Sequence, residues 1–144
     1  MYSAPGAGES AAFAAPEVAP NVAFTQLRAP RRERSLEQDA TSGRTLVTIH
    51  RDQGAYRLET DGLEFDGAAV ERFSQVEGDP LSAEADIEWR YAMGRGDWRI
   101  STASRTRLSG TKDAFRLHVV LDAFEDDRRI FTRSLSREFP RVGL

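Results

Sequence analysis

The chain has 144 residues, 40% of them hydrophobic and 30% charged, with a formal net charge of −3 and a pI near 5.5. This length fits one domain and a short extra segment, and the acidic balance excludes a general attraction to nucleic acid or to anionic membranes. No apolar run approaches the roughly 18 residues that a membrane-spanning helix needs, and the absence of cysteine excludes disulfides and thiolate zinc sites.

Residues 1–43 differ in composition from the rest of the chain. Proline, alanine and glycine dominate the first 20 residues, which predicts an irregular or disordered segment. Residues 22–24 could instead lie as an extended piece against the body. A basic region followed by an apolar one, the pattern of a secretory signal, is not seen, so a cytoplasmic protein is expected.

A cluster of basic residues follows around Pro30. It consists of Arg28, Arg31, Arg32 and Arg34. No aromatic residue alternates with these arginines and the body of the chain is acidic, so the cluster predicts a solvated linker rather than a nucleic-acid site.

The first half of the body, from about residue 44, reads as short strands separated by turns. β-branched or alternating apolar residues predict strands at 46–51, 55–60, 63–66 and 68–76. Asp52-Gln53-Gly54 and Asp61-Gly62 are typical turn sequences, and Gly78-Asp79-Pro80 ends the last of these strands.

The second half carries the strongest pattern in the chain. Residues 86–93 alternate strictly, with Ile87, Trp89, Tyr91 and Met93 on one side, and further runs follow at 98–108, 115–121 and 130–139. We therefore predict about eight strands and an all-β fold. The expected architecture is an antiparallel, jelly-roll-like β-sandwich over residues 44–144, with an irregular segment over 1–43.

Few residues suggest catalysis or metal binding. Ser10 lies one residue away from the G-x-S-x-G pattern of hydrolase nucleophiles, but no predicted strand precedes it. His50 and His118 could act as bases or metal ligands, yet neither has a motif partner, and half-exposed strand histidines are the simpler interpretation. The sequence thus predicts no catalytic, cofactor-binding or metal-binding residue.

Three other groups allow a functional and a structural interpretation. Asp122, Glu125, Asp126 and Asp127 could form a calcium site, although the spacing favours a solvated turn. Arg95-Gly96-Asp97 spells an adhesion tripeptide, although a hairpin turn explains it. Trp89 and Trp98 could line a ligand surface, but tryptophan in a sandwich is more often core.

Several segments, in order and at plausible spacing, resemble the C-terminal portion of the CocE/NonD serine hydrolases, which are relatives of cocaine esterase and the X-Pro dipeptidyl-peptidases. They are residues 56–59, 62–64, 78–83, 94–100, 113–117, 121–125, 129–131 and 139–141.

The resemblance implies a jelly-roll domain whose enzyme has an α/β-hydrolase domain with a Ser-Asp-His triad. None of the triad motifs matches this chain, so the expected function is a non-catalytic accessory domain, or a fragment of one, that braces the catalytic domain and its substrate cleft. The alternative is a stand-alone β-sandwich binding or interaction module. Strands from upstream are expected to be missing, which predicts association with a hydrolase domain or with itself.

Overall fold

Eight β-strands make up the computed structural model, which describes residues 19–142. Strands account for 78% of the described residues and no helix occurs among them, so the predicted all-β class is confirmed. The strands are β1 (Phe24–Arg28), β2 (Arg31–Asp39), β3 (Arg44–Leu58), β4 (Glu64–Val76), β5 (Asp79–Arg95), β6 (Trp98–Gly110), β7 (Ala114–Glu125) and β8 (Arg128–Pro140).

The strands form one antiparallel sheet in which each strand from β3 onward pairs with the next along the chain. Both β1 and β2 pair with the outer side of β3, one after the other, so together they form one edge of the sheet. The other edge is β8. The sheet is consistent with a β-sandwich; within the described residues its connections are those of a meander, without the Greek-key crossover of a complete jelly roll.

The irregular segment expected over residues 1–43 is wrong for residues 24–28 and 31–39, which form β1 and β2. Residues 1–18 lie outside the described range. All nine residues of β2 are aligned with β3, and three arginines of the basic cluster, Arg31, Arg32 and Arg34, lie in this strand, whereas Arg28 ends β1. Arg28 pairs with Asp52, and also with Asp66 at 2.8 Å. Charged residues are common on edge strands, where they discourage pairing with other chains, and composition alone does not distinguish such an edge from a linker.

The turn predicted at Asp52-Gln53-Gly54 is instead a bulge inside a continuous 15-residue strand. The register of β3 against β4 shifts between Asp52 and Gly54, and the Asp52 carboxylate accepts a hydrogen bond from the Gly54 amide at 2.8 Å. Gly54 has a φ of 78°, which glycine adopts without strain. The bulge lies opposite the break between β1 and β2 and accommodates it.

Because side chains alternate along each strand, the sheet has two chemically different faces. The apolar face is defined by residues that lie opposite one another across the strands. It includes Val47, Ile49, Tyr56, Phe65, Ala69, Phe73, Ile87, Trp89, Tyr91, Met93, Ile100, Leu108, Phe115, Leu117, Val119, Leu121, Leu135 and Phe139. The polar face carries the other alternation, including Thr48, Arg72, Asp86, Glu88, Arg105, Arg107 and His118.

Little of the apolar face is removed from water. Among the described residues, Ala69 and Ala114 are the only buried hydrophobic ones, at 3% and 7% exposure. Large side chains on the apolar face stay exposed, with Phe73 at 39%, Tyr91 at 46% and Phe139 at 48%. A sheet normally buries one face against another layer, and the described residues supply no second layer over this one.

Candidate interaction face

Aromatic side chains cover the end of the apolar face near the β3–β4 turn. Phe24 meets Tyr56 edge-on with ring centroids 5.7 Å apart, and Tyr56 stacks on Phe65 at 5.2 Å. Trp89 stacks on Tyr91 at 5.5 Å. Such pairs stabilise a sheet beyond their buried area, and here they also present a broad apolar surface to the outside.

The opposite end of the apolar face forms an open cavity of about 880 Å³. It extends from β2 to β7, and its walls include Val47, Phe73, Leu108 and Phe115. The guanidinium of Arg141 lies 5.2 Å from the centre of the Phe115 ring, in a cation–π geometry, and also lines this cavity. A second cavity of about 220 Å³ lies among the aromatic residues at the other end.

An ion pair lies near the centre of the apolar face. Arg51 on β3 contacts Glu71 on β4, with Nε and Oε1 3.1 Å apart and a second contact of 3.2 Å between Nη2 and Oε2. Glu71 is 7% exposed, and its strand neighbours on this face are Ile49 and Ile87. Arg51 therefore compensates a carboxylate that the surrounding apolar side chains have removed from water.

Arginines flank the apolar face on both edge strands. On β2, Arg32 and Arg34 lie opposite Arg51 and Ile49, and on β8, Arg133 and Arg137 lie opposite Leu121 and Leu117. All four of these arginines, which we call the rim arginines, are exposed. No acidic residue of β2 or β8 lies on this face, so the face has an apolar centre and a positive rim.

The polar face is held by ion pairs between neighbouring strands. Arg72 on β4 contacts Glu88 on β5 at 2.9 Å, and Asp86 on β5 contacts Arg105 at 2.7 Å and Arg107 at 3.2 Å, both on β6. Hydrogen bonds from Arg105 and then from Arg107 hold the pKa of Asp86 below its usual range. Ion pairs across the strands thus compensate these charges on the polar face.

Asp86 is expected to stabilise the fold only above acidic pH. Its pKa is lowered in the folded state, so its contribution is present above the unfolded value of about 4 and is lost as the pH falls through the folded value. We expect Asp86→Asn to lower the free energy of unfolding by about 1 kcal/mol at pH 7, with a difference from wild type that shrinks below about pH 4. Urea titrations at several pH values test this, with Asp97→Asn in the exposed β5–β6 turn as the control; a difference independent of pH would contradict it.

The two histidines lie apart on the polar face. His50 is exposed on β3, and His118 is exposed on β7, four strands away. His118 shares a 2.9 Å hydrogen bond between its Nδ1 and the Ser136 hydroxyl on β8. Among the described residues no carboxylate contacts the other ring nitrogen, and neither residue lines a described cavity, so this pair lacks the orienting acid and the enclosed site of a hydrolase nucleophile.

The remaining sequence candidates fall in or near turns. Asp122 contacts Arg129 at 3.5 Å and Glu125 contacts Arg128 at 2.9 Å, so arginines compensate these two carboxylates. Gly96 and Asp97 form the two-residue loop between β5 and β6, the hairpin expected for this tripeptide. In the described part of the chain, no group of three or more acidic or histidine side chains is placed to hold a metal.

The two tryptophans do not face each other. Trp89 lies opposite Ser104, whereas Trp98 lies opposite Arg95 beside the turn, three cross-strand pairs further along the same face. Trp98 is 45% exposed and Trp89 is half-buried rather than fully enclosed. Ser10 lies outside the described residues.

No protein-family model matches the chain, and no curated protein or solved structure matches it either. The described residues contain no helix with the length and apolarity to cross a membrane. The apolar face with its arginine rim is therefore the feature on which a functional interpretation rests.

Proposed function

We propose that the chain is the non-catalytic accessory domain, or part of one, of a serine ester or amide hydrolase similar to the CocE/NonD enzymes. Its role is to brace the catalytic domain and one side of the substrate cleft through the apolar face. The proposal keeps the cytoplasmic location that the sequence favours. The observation that carries it is an apolar sheet face that the described residues leave uncovered, with Ala69 as the one buried hydrophobic residue that they place on it.

The grouping of exposed apolar side chains on this surface supports a docking role. Exposed Phe73, Leu108 and Phe115, on β4, β6 and β7, all line the larger cavity. Contiguous apolar patches of this kind on a protein surface mark sites of association. The resemblance to the hydrolases identifies the partner that we propose, and the polar face, with its charges paired, remains the side in contact with water.

The test is co-expression with the polypeptide encoded immediately upstream, if it contains G-x-S-x-G with the triad Asp and His. We expect a stable complex that hydrolyses a p-nitrophenyl ester, while the isolated chain does not. Phe73→Ser should weaken the complex by at least about tenfold, whereas Ile130→Ser should not, although Ile130, at the β8 bulge, is more exposed than Phe73.

Two results would contradict the proposal. One is esterase activity of the isolated chain that disappears in Ser10→Ala. The other is an upstream hydrolase that is stable and fully active with no affinity for this chain, which would favour the stand-alone interaction module.

A further inference from the structure

We infer that the partner of this chain presents an apolar surface bordered by carboxylates, and that a second copy of the chain is not that partner. The inference rests on the proposed function, which makes the apolar face the docking surface. It adds the chemistry of the partner surface that covers this face. It depends on the positions of the four rim arginines, Arg32, Arg34, Arg133 and Arg137.

The rim arginines are placed to meet charges on an opposing layer. They lie on the two outermost strands, on the same side as the apolar residues, with β3 to β7 between them. A layer packed about 10 Å above the sheet would bring its own edges over these strands. Carboxylates at those edges would form ion pairs at the border of the interface, where they select the partner and speed the encounter.

Symmetry explains why a second copy does not fit. A twofold axis along the strands would place β2 of one copy over β8 of the other, and an axis across the strands would place each edge over its own counterpart. Both arrangements bring arginine against arginine, because both edges are basic and neither carries a carboxylate on this face. Like charges opposed across an interface disfavour that pairing.

A charge-reversed copy of the chain supplies a partner of the stated chemistry. The variant R32E/R34E/R133E/R137E keeps the apolar centre and converts the rim to carboxylates. At roughly 50 mM salt, sedimentation should show that wild type binds this variant at least about tenfold more tightly than either protein binds itself. The preference should disappear at roughly 1 M salt, where charges are screened.

The matched control reverses four arginines of the polar face, in R31E/R44E/R90E/R116E, with the same change in net charge. It should not pair with wild type. Equal binding of both variants would overturn the inference, and so would strong self-association of wild type or failure of the folded rim variant to bind. If the fourfold variant does not fold by circular dichroism, R133E/R137E is used, and it should bind wild type more tightly than wild type binds itself.

The same variants separate this inference from the proposed function. Pairing with the charge-reversed copy, together with no affinity for the hydrolase, would leave the inference standing and reject the proposed function. Equal affinity of the hydrolase for wild type and for the rim variant would leave the proposed function standing and reject the inference.

Discussion

Replacing Arg51 by methionine is expected to destabilise the chain by roughly 3 kcal/mol, the low end for breaking a buried ion pair because Arg51 itself is 41% exposed. The substitution keeps an unbranched apolar stem and removes the guanidinium, with its charge and its hydrogen-bond donors. Glu71, 7% exposed between Ile49 and Ile87, would then lack the guanidinium that contacts its carboxylate. The midpoint of urea denaturation should fall with little change in the slope.

The double variant R51M/E71L distinguishes a lost partner from lost packing. With both charges replaced by apolar groups, most of the stability should return, because no uncompensated carboxylate remains. Arg72→Met, which breaks the more exposed pair with Glu88 on the polar face, should cost only about 1 kcal/mol. An R51M variant as stable as wild type would show that Glu71 is hydrated.

Gly54→Ala should produce the second large effect, a loss of more than about 2 kcal/mol. A β-carbon at this position would lie 2.4 Å from the carbonyl oxygen of Arg28 and 2.9 Å from the nitrogen of Pro30, and the φ of 78° adds strain. Because these atoms belong to the backbone, the added methyl group fits only if β1 and the start of β2 move away from β3. Hydrogen exchange of the amides in 24–32 reports that movement.

Gly78→Ala is the matched control for backbone strain. Gly78 has nearly the same φ of 77°, but a β-carbon there would meet nothing within 4 Å. Gly78→Ala should therefore lower the free energy of unfolding by about 1 kcal/mol, through backbone strain alone, and leave hydrogen exchange in residues 24–32 unchanged. Equal effects at the two glycines would mean that the approach of β1 to the bulge is not a constraint on the fold.

Period-two alternation predicted the all-β fold because it is a local property. Ile87, Trp89, Tyr91 and Met93 do share one face, and the β5–β6 hairpin turns at Gly96 and Asp97 as expected. The two edge strands before residue 44 were not predicted. Their backbone pairs with β3, and such pairing depends on a partner distant in sequence rather than on the composition of the segment.

The bulge at Gly54 was mistaken for a turn for a related reason. Asp-Gln-Gly is as suitable for a turn as for a bulge, and only the alignment of β3 with β4 shows that the strand continues. The apolar centre of the candidate interaction face could still be predicted from the sequence, because the alternation places its apolar residues on one side of each strand. The positive rim could not, because it requires the register of β2 and β8 with their neighbours.

Hydroxyl-radical footprinting read by mass spectrometry tests most directly whether the apolar face is a docking surface. The measured quantity is the oxidation of Phe73, Leu108 and Phe115, first in the chain at a concentration where light scattering shows a monomer and then in the complex with the upstream hydrolase. The account predicts ready oxidation in the monomer, as expected from about 40% exposure of each side chain, and protection in the complex. Protection already in the monomer, or unchanged oxidation in the complex, would contradict it.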